Sequence, residues 1–184
     1  MSWLPVLKIG LWNAWLLMLI IPLQPYILRL VDKAVGTGDI FKKMGAAPTD
    51  QAQKRVSMLF MLIQGALYLF SIFLPLKPGT PWFYAGLALY LAGLGMLLTA
   101  MLNAAAAPPG QLFTRGLYRW SRHPAYLAMA LIYSAVGLAS GSWIFLLLAG
   151  VLVLLLRYQA LVEERECLER FGQAYREYMQ KTPR

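Results

Sequence analysis

The sequence predicts an all-α integral membrane protein with five transmembrane helices. Of its 184 residues, 59% are hydrophobic and only 14% are charged, whereas about a quarter of the residues in a soluble domain are charged. The apolar residues fall in runs of roughly 20, the length that crosses a hydrocarbon core of about 30 Å. We therefore expect one membrane domain over residues 1–184, because nothing in the chain could build a second core.

Five apolar segments are the predicted spans. They cover about residues 9–31, 56–76, 81–102, 124–140 and 143–161. Pro22 and Pro25 are expected to kink the first span rather than end it, and its weakly basic start argues against a signal peptide. The last two spans are joined by Ser140, Gly141 and Ser142, which predicts a tight helical hairpin.

Basic residues predict the orientation of the spans. With five spans, every Lys and Arg except Lys8 and Lys77 falls on one side of the membrane, and the positive-inside rule makes that side cytoplasmic. The N-terminus is then outside and the C-terminus is cytoplasmic. We assign the net charge of +9 to this topology and to anionic lipid headgroups. No nucleic-acid partner is predicted, because no nucleic-acid-binding motif accompanies the charge.

Two further segments are predicted on the cytoplasmic side. The basic segment 32–55 is expected to be either a lid over a site or a flexible connection. Glu166 and Arg170 are expected to form an exposed ion pair four residues apart on a helix. That helix is a cytoplasmic, amphipathic C-terminal helix, because apolar side chains recur at helical spacing at Leu161, Leu168, Phe171, Tyr175 and Tyr178.

Arg122 and His123 are the first candidate site residues, because they precede a predicted helix N-terminus at Pro124. Proline suits the first turn of a helix, and the free N–H groups and positive dipole end of the helix attract an anion. This segment therefore suits a carboxylate or a phosphate. Alternatively, the segment is only a membrane-interface anchor, made of the basic and aromatic residues Tyr118, Arg119, Trp120, Arg122 and Tyr126.

Glu163 and Glu164 are the second candidate. Glu164 falls on the apolar stripe of the tail helix, four residues before Leu168. A carboxylate that faces the protein interior at the membrane surface costs on the order of a few kcal/mol unless it meets a partner. That partner is either a ligand hydroxyl or ammonium group, or a basic side chain among Arg122, Arg157 and Arg165.

Other classes of site are disfavoured. A single His and a single Cys argue against a zinc site, and no metal is predicted. The chain contains neither a P-loop nor a Gly-x-Ser-x-Gly motif. Charged residues are nearly absent from the spans and no internal repeat is evident, which argues against a transporter.

Several short motifs occur in a specific order in residues 111–184. In these motifs and in their order, the chain resembles the integral membrane methyltransferases of the isoprenylcysteine carboxyl methyltransferase and phospholipid N-methyltransferase group. The matching residues are Gly116 and Tyr118, the run Arg122-His123-Pro124-Ala125-Tyr126, the pair Glu163-Glu164, the set Phe171, Gly172, Tyr175 and Tyr178, and the run Thr182-Pro183-Arg184.

The resemblance implies an S-adenosylmethionine-dependent enzyme without a Rossmann domain, in a prokaryotic inner membrane with its site facing the cytoplasm. A hydrophobic or lipid acceptor would enter from the bilayer, and catalysis is expected to rest on orientation rather than on a protein nucleophile. The cofactor-binding residues that the resemblance implies are Tyr118, Arg122, His123, Tyr126, Glu163 and Glu164, with Gly93 and Gly95 as additional candidates.

Arg157 would orient an anionic acceptor, or would extend to the lipid headgroups. The chain departs from the pattern at Ala128, where relatives often have Gly. It also departs shortly before the Glu pair, where relatives often have Arg and this chain has Leu161 and Val162. These departures concern the acceptor more than the cofactor. The competing interpretation is a catalytically inactive membrane scaffold or assembly subunit of the same fold, against which the four residues Arg122, His123, Glu163 and Glu164 argue.

Overall fold

The computed structural model describes residues 6–35, 51–108 and 110–184, and this part of the chain is helical, without a β-strand. We number its α-helices in chain order. They are α1 (Trp15–Met18), α2 (Ile20–Val35), α3 (Gln51–Ile72), α4 (Pro81–Ala105), α5 (Pro124–Ser140), α6 (Trp143–Phe171) and α7 (Gln173–Lys181), with a 3-10 turn at Gly116–Arg119 before α5.

Four helical stretches are long and apolar enough to cross a membrane. They are Trp15–Val35, Gln53–Ile72, Pro81–Ala105 and Trp143–Phe171. The helix Pro124–Ser140 is also apolar but has only 17 residues, at the lower limit for a span. The all-helical fold is thus confirmed for the described residues, and the four candidate spans are consistent with a multi-pass membrane protein. The fifth span and the orientation stay predictions.

The first predicted span begins later than expected. Residues 6–10 are not helical, and the helix starts at Trp15 with a break at Leu19. The side-chain amide of Asn13 donates to the carbonyls of Lys8 (2.5 Å) and Ile72 (2.6 Å). The backbone N–H groups of Lys8 and Ala14 donate to the carbonyls of Phe73 (2.9 Å) and Leu74 (2.8 Å). Hydrogen bonds to the end of α3 and the chain after it therefore replace helical ones over this segment. Pro25 lies within α2, as predicted.

Side-chain caps begin two of the long helices. Thr80 Oγ1 accepts the N–H of Phe83 (3.2 Å), and Pro81 follows at the first helical position. Ser142 Oγ accepts the N–H of Phe145 (3.3 Å) at the start of α6. Gly141 has φ +62° and permits the sharp reversal between α5 and α6, so the predicted hairpin is confirmed.

Helices α4 and α5 make the most extensive contact between helices of the described residues. A Cβ at Gly86 would lie 2.6 Å from the backbone nitrogen of Ala139. A Cβ at Gly93 would lie 3.2 Å from the carbonyl oxygen of Ala128. Small residues thus let the two backbones touch, as is usual in membrane helix pairs.

Helix α6 is longer than the predicted span. Its 29 residues extend about 43 Å at 1.5 Å per residue, against a hydrocarbon core of about 30 Å. The polar part after Leu161 continues the same helix instead of starting a new one. Gly172, at φ +53°, ends α6, and α7 returns toward the beginning of α5. Residues 36–50 of the predicted lid or connection lie outside the described residues.

Candidate functional site

A cavity of about 540 Å³ lies where α5 begins and α6 ends. This volume is within the range of small-molecule sites, about 300–1,000 Å³. Residues 111–113, the 3-10 turn, the start of α5, the end of α6 and α7 form its walls. Among its lining residues are five of the predicted cofactor-binding residues, namely Tyr118, Arg122, His123, Tyr126 and Glu163.

Glu164 lies behind the cavity wall, only 3% exposed, and holds three cationic or hydrogen-bonding side chains together. Arg184 donates to it through Nε (2.9 and 3.0 Å) and Nη2 (2.7 Å). Arg122 Nη1 and His123 Nε2 each lie 3.2 Å from its Oε1 atom. The ion pair with Arg122 was one of the predicted alternatives. The contact with Arg184 was not predicted.

Glu164 lies beyond the apolar part of α6, and its contacts with the two arginines keep its carboxyl ionised. Burial raises its pKa, but the hydrogen bonds from Arg184 and the positive charges of Arg122 and Arg184 outweigh burial. Its pKa therefore lies below the ordinary value of 4.5. The hydrogen bond to Glu164 conversely raises the pKa of the Arg184 guanidinium.

Glu163 faces the cavity, with 42% of its side chain exposed. The Tyr126 hydroxyl donates to its Oε1 atom, and its Oε2 atom lies 3.5 Å from His123 Nδ1. The His123 ring stacks on the ring of Tyr126, with centroids 5.6 Å apart and an interplanar angle of 4°. The imidazole is therefore fixed between the two predicted carboxylates, with one ring nitrogen near each. Only one of the two carboxylates is open to a ligand.

Arg122 lines the cavity and carries buried N–H groups without an acceptor among the described residues. Its side chain is 8% exposed, and its Nε and Nη1 atoms have no hydrogen-bond acceptor among the described residues. The Nη1 contact with Glu164 is thus an ion pair without hydrogen-bond geometry. A buried polar group left without a partner costs about 1–3 kcal/mol.

Tyrosines close the side of the cavity next to α7. The Tyr178 hydroxyl donates to the backbone carbonyl of Tyr118 (2.6 Å), and the ring of Phe113 meets the ring of Tyr118 edge-on. Burial raises the pKa of Tyr118, as does the charge of Glu163, and burial raises the pKa of Tyr178 to about 12. Both phenols are therefore protonated at neutral pH.

Gly116 explains the glycine of the Gly-x-Tyr motif. Its φ is +61°, and a Cβ there would lie 1.4 Å from Asn103 Oδ1 in α4. Only glycine combines that backbone conformation with this close approach. The tight contact between the 3-10 turn and α4 fixes the position of Tyr118 on the cavity wall.

Three candidates lie away from the cavity. A Cβ at Gly93 would lie 3.0 Å from Ile132 Cγ1, so Gly93 serves the packing of α4 on α5, whereas a Cβ at Gly95 would meet open space. Arg157 is exposed and does not line the cavity. Among the described residues, the structure therefore does not bring these three together with the other candidates.

Glu166 and Cys167 were not predicted to line the cavity. Glu166 is half-buried, lines the cavity and accepts a hydrogen bond from Gln53 Nε2 (3.0 Å) of α3. The predicted exposed pair of Glu166 with Arg170 is wrong, because Arg170 lies over the ring of Phe171 instead, 5.1 Å from its centroid. Burial and the charge of Glu163 raise the pKa of the Cys167 thiol to about 11, so this thiol is largely protonated at neutral pH.

The described residues form a helical protein with four candidate membrane spans and a cavity lined by charged and aromatic residues, where α5 begins and α6 ends. The chain belongs to the DUF1295 family of proteins of unknown function, which it matches over residues 26–182. No curated protein matches the chain.

Proposed function

We propose that the protein is an integral membrane methyltransferase that uses S-adenosylmethionine and acts on a lipid or another hydrophobic small molecule. One observation carries the proposal. A buried guanidinium with unsatisfied N–H donors, Arg122, and an accessible carboxylate, Glu163, line the same cavity. Together they are complementary to a zwitterion, which is what the amino acid part of S-adenosylmethionine is.

The other lining residues fit the rest of this cofactor. Ala125 lies in the first turn of α5 and lines the cavity, so a helix N-terminus adds to the attraction of Arg122 for a carboxylate. Glu163 would accept hydrogen bonds from the ammonium group or from ribose hydroxyls. Phe113, Tyr175 and Tyr178 offer aromatic faces for a purine.

S-adenosylmethionine supplies a methyl group activated by an adjacent sulfonium. The residues of this chain then need to bind, orient and exclude water, which can lower the barrier of an in-line transfer by about 7–11 kcal/mol. His123 is fixed by Glu163, Glu164 and Tyr126, and it holds the wall in place.

The acceptor is proposed to enter from the bilayer. Apolar side chains of Leu112, Phe113 and Phe171 line the cavity beside its charged groups. Helix α6, which leads away from the cavity, is one of the four helical stretches apolar enough to cross a membrane. We propose five spans, with α5 as the short fourth one and with the cavity on the cytoplasmic side, where the positive-inside rule places the basic residues.

The charges of the cavity favour a methyltransferase over a reductase. Glu163, Glu166 and Glu169 line it, against Arg122 and Arg170. A nicotinamide dinucleotide with its phosphates would meet three carboxylates, and like charges repel strongly in a partly buried site. A zwitterion beside a sulfonium meets complementary charges.

Calorimetric titration of the purified protein in lipid nanodiscs with S-adenosylhomocysteine tests the proposal. We expect micromolar binding that Arg122→Gln and Glu163→Gln each weaken at least tenfold. Arg157→Gln is the matched control, because Arg157 is exposed and outside the cavity, and it should bind like the wild type. Absence of binding to the folded wild type refutes the proposal and favours the scaffold. Binding of NADPH instead would favour a reductase.

A further inference from the structure

The segment that follows α7 turns back onto the site. Thr182 is buried, and its N–H donates to the carbonyl of Tyr178 (3.0 Å). The N–H of Arg122 donates to the carbonyl of Pro183 (2.9 Å). These two bonds place the Arg184 side chain against Glu164. Arg184 does not itself line the cavity, so any effect of Arg184 on a ligand must pass through another residue.

Arg184 and Arg122 compete for the same carboxylate. Arg184 occupies both oxygens of Glu164 through two nitrogens, at 2.7 to 3.0 Å. This fork geometry is the strongest pairing that a guanidinium makes with a carboxylate. Only the Oε1 atom of Glu164 also contacts Arg122, at 3.2 Å from Nη1 and without hydrogen-bond geometry. The Nε atom of Arg122 is left without any acceptor among the described residues.

We infer that Arg184 is a positioning residue that keeps the Arg122 guanidinium available for the carboxylate of the ligand. By holding Glu164, Arg184 prevents that carboxylate from forming its own two-pronged pair with Arg122. Without Arg184, Glu164 is free to take the Nε and Nη1 donors of Arg122, and the binding group for the ligand is lost. This inference rests on the proposed function for the identity of the ligand.

If Arg184 positions Arg122 in this way, replacing Arg184 should weaken only the binding of ligands that carry the amino acid carboxylate. In Arg184→Gln, S-adenosylhomocysteine should bind about tenfold to hundredfold more weakly, the range of a lost charged hydrogen bond. Methylthioadenosine keeps the adenosine and the thioether but lacks the amino acid carboxylate, so its affinity should not change. The double variant Glu164→Gln with Arg184→Gln should recover affinity for S-adenosylhomocysteine, because a neutral amide does not compete for Arg122.

Calorimetry with both ligands on these variants, each checked for folding by circular dichroism, tests the inference. Unchanged affinity for S-adenosylhomocysteine in Arg184→Gln overturns it. Equal losses for both ligands overturn it too, because they indicate general damage to the cavity. Failure of the double variant to recover affinity contradicts the competition between the two arginines.

A measurement without ligand separates this inference from the proposed function. The Nε–H resonance of Arg122, identified by its absence in Arg122→Gln, should shift in Arg184→Gln as it gains Glu164 as acceptor. An unchanged resonance overturns the inference even if the wild type binds S-adenosylhomocysteine. A wild type that binds neither ligand refutes the proposed function. The Nε–H resonance of Arg122 then still tests whether Arg184 keeps Glu164 away from Arg122.

Discussion

Replacing Glu164 by Gln should destabilise the protein by about 3 kcal/mol, the lower end of the cost of removing one partner from a buried ion pair. Most of this cost falls on Arg122, whose side chain is 8% exposed and loses its counter-charge. Arg184 is 42% exposed and can turn to water, so its lost pairing contributes little. We therefore expect the lower end of the range.

Equilibrium unfolding in mixed micelles with increasing SDS, followed by circular dichroism, measures this change. Glu169→Gln is the matched control, because Glu169 is exposed at the same end of α6, and it should change stability by no more than about 0.5 kcal/mol. If Glu164→Gln behaves like this control, Glu164 does not hold the buried network and the reasoning fails.

The difference in stability between the wild type and Glu164→Gln should depend on pH. Because the folded-state pKa of Glu164 lies below its ordinary value of 4.5, its stabilising contribution is fully present above that value. The contribution is lost as the pH falls through the lower, folded-state pKa. The stability gap between wild type and Glu164→Gln should therefore be constant near neutral pH and should close in acid. A gap that persists in acid contradicts ionisation as its cause.

Three further changes test the scaffold of the site. Gly116→Ala should cost about 1–3 kcal/mol of stability, because it places a Cβ in a left-handed conformation and against the side chain of Asn103. It should also weaken S-adenosylhomocysteine binding, measured by the same calorimetric titration. Gly86→Ala should cost about 1–3 kcal/mol in SDS unfolding, because α4 and α5 must separate to admit the Cβ. The control Gly95→Ala places its Cβ in open space and should be neutral or stabilising. Equal effects of the two changes would contradict the close packing of α4 on α5. Tyr178→Phe should cost about 1 kcal/mol by leaving the carbonyl of Tyr118 without its donor, and a neutral result would mean that water replaces it.

Sequence patterns predicted the elements whose formation is local. Runs of apolar residues with helical length fix where membrane helices lie, because each backbone group in lipid must bond within its own helix. The hairpin followed from Ser140, Gly141 and Ser142, since a positive φ and a side-chain cap act within a few residues. The helix start at Trp15 was missed because the competing bond, from Asn13 to Ile72, spans 59 residues.

The candidate site shows the same division. Its residue types, with Arg122 and His123 before a helix and two adjacent glutamates on another, were visible in the sequence and predicted a polar site. Helical spacing also distinguished Glu164 from Glu163, because adjacent residues differ by about 100° around the helix axis, and the predicted burial of Glu164 is confirmed. Only the packing of α6 and α7 against the start of α5 decides which side chains meet Glu164, namely Arg122, His123 and Arg184.

The sequence by itself determined that this protein is helical and membrane-embedded, and it named the groups that carry charge near one end of the bundle. The tertiary structure alone decided how those charges are shared. Arg184 meets Glu164 across 20 residues and Gln53 meets Glu166 across 113. Such pairings depend on where the chain returns in space, because an ion pair is specified by distance and burial, and neither quantity is local in sequence.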